Sequence, residues 1–69
     1  MDVERSLPPP RLERLPAIVA RTGMSKSWLY REISRGNFPR PLEIGRARCW
    51  DARAVNQWIE TQLGRGAAR

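Results

Sequence analysis

The chain has 69 residues, of which 13 are Lys or Arg and 7 are Asp or Glu, so its formal net charge is +6 at pH 7. A chain this short forms one small domain with a thin core and has no room for a substrate pocket and its scaffold. Its 41% hydrophobic content suffices for folding, and it contains no apolar run of the ~18 residues that a membrane-spanning helix needs. The composition therefore favours a small binding module with an anionic partner.

The residue types that carry much of metal and acid–base chemistry are nearly missing. The chain contains no His and a single Cys, Cys49. We therefore predict no zinc site, no internal disulfide and no His-based catalysis. A cytoplasmic location agrees with this cysteine usage. The chain is predicted to be neither an enzyme nor a cofactor-binding protein, since no nucleophile or phosphate loop accompanies its carboxylates.

Both ends of the chain are predicted to lie outside the fold. Residues 1–11 carry no apolar period and include three consecutive prolines, Pro8 to Pro10, which is typical of a flexible leader. Residues 64–69 are predicted to be a frayed tail. The folded domain is accordingly predicted to span residues 12–63.

Two helices are predicted in the first half of this domain. The first covers residues 16–22, with Pro16 at its start and Gly23 in the left-handed conformation at its end. The second covers residues 26–35 and has Ser25 as its N-cap. Its buried stripe is formed by Leu29 and Ile33. The opposite side carries Lys26, Ser27, Tyr30, Arg31 and Ser34.

A small hairpin and a third helix are predicted after the rigid segment 38–41. The strands cover residues 42–44 and 46–50, with the tight turn at Gly45 and Arg46. The last helix is predicted to begin after the N-cap Asp51 and to end before Gly64. Its apolar face consists of Val55, Trp58, Ile59 and Leu63. Trp50 and Trp58 are predicted to clamp the hairpin to this helix, and Cys49 is predicted to be a half-buried strand residue.

The first two helices and the turn between them read as a helix-turn-helix. Val19 faces the second helix, Gly23 makes the turn, and Met24 is predicted to fill the gap beneath it. The exposed face of the second helix would then fit a DNA major groove. Its N-terminus at Lys26 and Ser27 favours a phosphate, and Arg31 is long enough to contact guanine. A solvated helix face on an ordinary small bundle is the alternative.

The hairpin adds basic residues beside this helix. Arg46 and Arg48 lie at or near its tip, and Arg40 precedes it. A basic hairpin beside a recognition helix is the layout of a winged helix, whose wing contacts the DNA backbone or the minor groove. A solvated turn is the alternative. The predicted fold class is mainly α with a small β-hairpin: a winged helix-turn-helix of three helices and a two-stranded wing.

The order of these segments resembles the AlpA family of small phage and prophage regulators, which is related to excisionases and to the winged-helix domain of the MerR group. The resemblance rests on LPAIV at 15–19, RTGMSKSWLYR at 21–31, GNFPRP at 36–41 and LEIGR at 42–46, followed by Trp50, Val55 and the pair at 58–59. Two positions depart from the family pattern: Ala17 replaces a frequent acidic residue, and Trp28 replaces a small polar one. Trp28 is equally compatible with packing, against the wing for example, and with a DNA contact.

The resemblance implies sequence-specific binding of double-stranded DNA by a transcriptional regulator or a recombination directionality factor. It also implies partners: the DNA, a further copy of the chain, and an integrase or recombinase. No membrane and no small-molecule substrate are expected. The rival hypotheses are a protein-interaction adaptor for an acidic partner and an RNA-binding module. The predicted DNA-contacting residues are Thr22, Ser25, Lys26, Ser27, Trp28, Tyr30, Arg31, Arg35, Arg40, Arg46 and Arg48.

Overall fold

The computed structural model describes residues 9–67. Within this range the chain forms three helices and three strands, in the order expected of a winged helix-turn-helix with one added strand. The elements are β1 (Leu12–Glu13), α1 (Leu15–Thr22), α2 (Lys26–Ser34), β2 (Leu42–Ile44), β3 (Ala47–Asp51) and α3 (Ala52–Ala67). Residues 1–8 of the predicted leader and the last two residues of the predicted tail lie outside the described residues.

The junction between α1 and α2 is built as predicted, and both helices are confirmed to within one residue at each end. Gly23 has φ +74° and its N–H donates to the Val19 carbonyl at 2.8 Å, which ends α1. Ser25 is the N-cap of α2, because its Oγ accepts a hydrogen bond from the Trp28 N–H at 3.1 Å. These two short-range devices set the turn that separates the helices.

Replacing Ser25 by alanine is expected to lower the free energy of unfolding by about 1 kcal/mol, because an N-terminal N–H of α2 loses its acceptor. Urea denaturation followed by circular dichroism measures this change. Ser34→Ala is the matched control, since the Ser34 hydroxyl only donates to the Arg31 carbonyl at the exposed end of the same helix. Equal losses in the two variants would contradict the capping role.

The sheet has three antiparallel strands in the order β1-β3-β2. The predicted hairpin of β2 and β3 is confirmed, and Gly45 at the first position of its two-residue turn has φ +61°. A third strand that was not predicted, β1, adds to this hairpin by pairing Leu12 with Asp51 and Glu13 with Trp50. A two-residue strand has no periodicity of its own and forms only because β3 offers its second edge.

The last helix continues beyond its predicted end. Asp51 is confirmed as the N-cap, since its Oδ1 accepts from the Arg53 N–H at 2.9 Å. The predicted end before Gly64 is wrong, because α3 runs through Gly64 and Gly66 to Ala67. A glycine ends a helix where it turns left-handed, and neither of these glycines has a positive φ.

The core lies between the sheet and the three helices. Trp50, Ile18, Leu29 and Val55 are fully buried, and Phe38 joins them from the connector after α2. The Trp50 Nε1–H donates to the Pro39 carbonyl at 3.0 Å. Trp50 is therefore a core residue as predicted, and it also fixes the connector to the sheet.

Trp58 has a different place from the predicted one. It is half-buried and contacts the connector rather than the hairpin. The centroids of the Trp58 and Phe38 rings lie 4.8 Å apart, and the Trp58 Nε1–H donates to the Asn37 carbonyl at 2.7 Å. Leu63, the last residue of the predicted apolar face, is 68% exposed because α3 extends past the core. Met24, predicted to fill the gap beneath the turn, is exposed as well.

A buried carboxylate joins three elements. Glu13 in β1 is only 7% exposed, and its two oxygens pair with Arg11 at 3.0 Å and with Arg21 of α1. Arg21 also donates to the Asn56 side chain in α3. The network satisfies a charge that would otherwise be costly to bury, and it holds β1, α1 and α3 in one arrangement.

Candidate nucleic-acid interface

The second helix presents a polar, basic face. Ser27, Tyr30, Arg31 and Ser34 follow one another at helical spacing, and Leu29 and Ile33 anchor the opposite side in the core. On this face Ser27, Arg31 and Ser34 are exposed, as are Lys26 and Arg35 beside them. The shape is a ridge whose width suits the major groove of B-DNA.

Arg31 and Lys26 carry the positive charges of this ridge that no carboxylate within residues 9–67 neutralises. Both side chains are exposed, and neither forms an ion pair with another residue between 9 and 67. Arg35, by contrast, pairs with Glu32 at 3.2 Å, and Glu32 also accepts from the Asn37 side chain at 3.1 Å. Arg31 and Lys26 can therefore contact an anion without losing a contact within the described part of the chain.

The two hydroxyl residues of the turn already serve the fold. The Thr22 Oγ1 donates to the Ile18 carbonyl at 2.9 Å and accepts from the Met24 N–H at 3.1 Å. Ser25 accepts from the Trp28 N–H as the N-cap, so its hydroxyl hydrogen is still able to donate to a phosphate. Of the two, Ser25 is thus better suited than Thr22 to donate to DNA.

Tyr30 connects the second helix to the hairpin. Its ring is half-buried, lies edge-on to Trp50 with 6.4 Å between ring centroids, and is covered by Arg48, whose Cζ lies 5.7 Å from the ring centroid. The sequence placed Tyr30 on the outward side of α2 with no partner. The structure shows that the side chain also fixes the distance between α2 and β3.

Arg48 is held by two side chains, Tyr30 and Glu43, at the side of the hairpin. The Tyr30 side chain, and after it the Glu43 carboxylate, raise the pKa of the Arg48 guanidinium above its ordinary value. The Arg48 Nε lies 3.6 Å from Glu43 Oε2, and both side chains are largely exposed. Arg48 is therefore always charged, and it is oriented next to the second helix.

Trp28 packs against the third helix and not against the wing. Its ring makes an edge-on contact with Trp58 at 6.2 Å between centroids. The side chain is half-buried, so part of the ring is still open to solvent beside Lys26 and Ser27. Packing against Trp58 thus explains the buried part of the Trp28 ring and leaves the exposed part without a partner in this contact.

The remaining predicted residues lie on the hairpin and before it. Arg46 occupies the second position of the tight turn, Arg40 lies in the connector, and both are exposed without an ion pair to another residue in the range 9–67. Because Arg48 contacts Tyr30, this basic hairpin stands beside the second helix. The structure thereby brings most of the predicted set onto α2 and the adjoining wing.

Sequence reasoning did not assign a role to Glu43, which holds Arg48. The signal was present, because a two-residue turn at Gly45 and Arg46 sets a register in which Glu43 lies opposite Arg48 on the same face. Glu13 had no comparable signal. Its partner Arg21 lies in α1 and is itself bound to Asn56 of α3, so this network forms only in the fold.

Every helix within residues 9–67 falls short of the length and hydropathy needed to cross a bilayer. Those residues also contain no group of Cys, Asp and Glu side chains placed to hold a metal ion.

The family model described as Prophage CP4-57 regulatory protein (AlpA) matches residues 11–63 of the chain. This range begins just before β1 and covers the helix-turn-helix, the hairpin and most of α3. Comparison with curated proteins and with solved structures gives no significant match.

Proposed function

Because the chain belongs to the AlpA family of prophage regulatory proteins, we propose that it binds double-stranded DNA sequence-specifically. In this role it acts as a transcriptional regulator of a prophage or other mobile element, or as an excisionase-type directionality factor. It has no enzymatic activity and needs no cofactor, and it works in the cytoplasm on nucleoid DNA. Its partners are the DNA, further copies of the chain, and an integrase or recombinase.

One observation carries this proposal: the contact of Arg48 with Tyr30 holds a basic hairpin beside an exposed, basic helix. A helix of this width enters the major groove, and a hairpin next to it reaches the adjacent backbone or minor groove. An adaptor for an acidic protein would not require these two elements to be set side by side. The same arrangement is what a winged-helix DNA-binding domain requires.

The residues of this surface then have distinct roles in DNA binding. Arg31, near the middle of the exposed face, donates to guanine O6 and N7 in the major groove. Lys26, Ser25 and Ser27 meet a phosphate at the N-terminus of α2, where the helix dipole favours an anion. The wing arginines, Arg46 and Arg48, contact the backbone or the minor groove. Thr22, Trp28, Tyr30, Arg35 and Arg40 complete the edge of the contact surface.

The test is a salt-titrated binding assay with two probes. The first is DNA from upstream of the protein's own gene, and the second is a scrambled duplex of the same length and composition. We expect at least about hundredfold tighter binding to the native fragment at ~150 mM salt. With about five phosphate contacts, log K falls with log salt at a slope near −4 to −5.

The assay also separates the rival functions. Equal and steeply salt-dependent binding to both probes would contradict sequence reading by the isolated chain. Binding to neither probe would contradict the DNA-binding function and favour the protein-interaction adaptor.

A further inference from the structure

The sheet has a second face, which the proposed DNA-binding surface does not use. Residues paired across antiparallel strands share a face, and neighbours along a strand alternate. Trp50, Glu13, Arg48 and Glu43 therefore share the inner face, toward the helices. The outer face carries Leu12, Leu42, Ile44, Ala47, Cys49 and Asp51.

This outer face is aliphatic and open to solvent. Leu12 is 52% exposed, Leu42 52% and Ile44 48%, and they come from the two strands that flank β3. Cys49, opposite Leu42, is buried between them. Single exposed aliphatic residues are ordinary, whereas three side by side on one sheet form a contiguous patch of the kind that marks an interaction site.

The charges at the border of the patch indicate what covers it. Arg11, Asp51 and Arg53 line the surface depression beside Leu12 and Leu42, so the border carries both signs. A border of arginines alone would suit an acidic partner. A border of both signs is self-complementary, because a two-fold axis can place an arginine of one copy opposite the aspartate of another.

We propose that the outer face of the sheet, centred on Leu12, Leu42 and Ile44, packs against the same face of a second copy of this chain. The inference deepens the proposed function, on which it rests for its biological role, by naming the surface through which copies cooperate. Because the face lies opposite the one that carries Arg48 toward α2, it stays accessible while α2 and the wing contact DNA. A single domain covers only one short half-site, so a second copy supplies the missing specificity.

The association is weak in free solution, for two reasons. Three half-exposed aliphatic side chains cover far less than the roughly 800 Å² per partner that a standard stable interface buries. Each copy also carries a formal charge of +6, so two copies repel each other. Added salt screens this net repulsion, which outweighs the few contacts between arginine and aspartate at the border, so it strengthens the dimer, whereas it weakens DNA binding.

The experiment compares the full chain with a double variant, Leu42→Thr with Ile44→Thr, and with the control Leu63→Gln. Threonine keeps the strand preference of the exposed sites, and Leu63 is an exposed leucine outside the face. Sedimentation equilibrium over a range of protein and salt concentrations measures self-association. A second arm measures binding to duplexes with one site, or with two sites one helical turn apart in either orientation, and yields the coupling between sites. Thermal denaturation checks that each variant is folded.

We expect a reversible dimer that strengthens with salt in the wild type and in Leu63→Gln, and at least tenfold weaker association in the double variant. On two-site duplexes the coupling should fall from about tenfold or more to near one in the double variant, with single-site affinity unchanged. A wild type that is monomeric throughout and binds paired sites independently would overturn the proposal, as would unchanged self-association of a folded double variant. A wild type without sequence preference on single-site duplexes would contradict the proposed DNA-binding function. It would not contradict the dimer, because sedimentation equilibrium measures self-association without DNA.

Discussion

Replacing Trp50 by alanine is expected to lower the free energy of unfolding by about 3–5 kcal/mol, which is close to the whole stability of a domain of this size. Trp50 is fully buried in β3, its Nε1–H donates to the Pro39 carbonyl, and its ring contacts Tyr30 of α2. The truncated side chain leaves a cavity where the sheet, the connector and the second helix meet. Far-UV circular dichroism at 25 °C should therefore show a largely unfolded chain.

Two further variants separate the contributions of this side chain. Trp50→Phe keeps an aromatic ring against Tyr30 but removes the donor to Pro39, so we expect an intermediate loss of about 1–3 kcal/mol. Leu63→Ala changes an exposed residue of α3 and should alter the stability by less than about 0.5 kcal/mol. A Trp50→Ala variant that unfolds cooperatively within a few degrees of the wild type would contradict the central place of Trp50 in the core.

The elements that the sequence predicted correctly are those that short-range chemistry determines. Gly23 and Ser25 are neighbours of the helices they bound, and each acts through a hydrogen bond within four residues. Gly45 likewise sets the hairpin register within its own turn. The predicted end of α3 was wrong because a glycine is compatible both with a helix and with its termination. Only the backbone conformation of the glycine decides between the two.

The features that the sequence did not predict depend on residues far apart in the chain. The strand β1 exists because Leu12 and Glu13 meet Asp51 and Trp50 across the domain. The buried Glu13 pairs with Arg21 of α1, which in turn donates to Asn56 of α3. No local pattern predicts such contacts, because hydrophobic periodicity indicates only which face of a single element is buried.

The same limit applies to the candidate site. Helical spacing was enough to place Arg31 and Ser27 on one exposed face of α2. It was not enough to show that Tyr30, on that face, is covered by Arg48 from the hairpin. This contact gives Tyr30 a structural role in addition to its proposed role at the DNA: it joins the helix that would read bases to the wing that would hold the backbone.

Arg31→Ala is expected to weaken binding to the native DNA fragment by about 1–3 kcal/mol and to relax the preference at one base pair. The reason is that the proposed bidentate contact to guanine would be lost from the middle of α2, while binding to a scrambled duplex would depend on phosphate contacts by other residues. The measurement is a set of affinities for the native fragment, its single-base variants and the scrambled duplex, all at one salt concentration. Arg31 has no ion pair with residues 9–67, so the fold should be unaffected.

Arg46→Ala provides the matched comparison, since Arg46 is an exposed arginine at the hairpin turn that also has no ion pair with those residues. It should weaken binding to every duplex alike and flatten the salt slope by about one, because the contact proposed for Arg46 is to a phosphate and not to a base. Arg48 is less suitable, since its removal also breaks the contacts with Tyr30 and Glu43. If Arg31→Ala reduced binding to native and scrambled DNA equally, Arg31 would be a phosphate contact, and base reading would have to be sought elsewhere on the exposed face of α2.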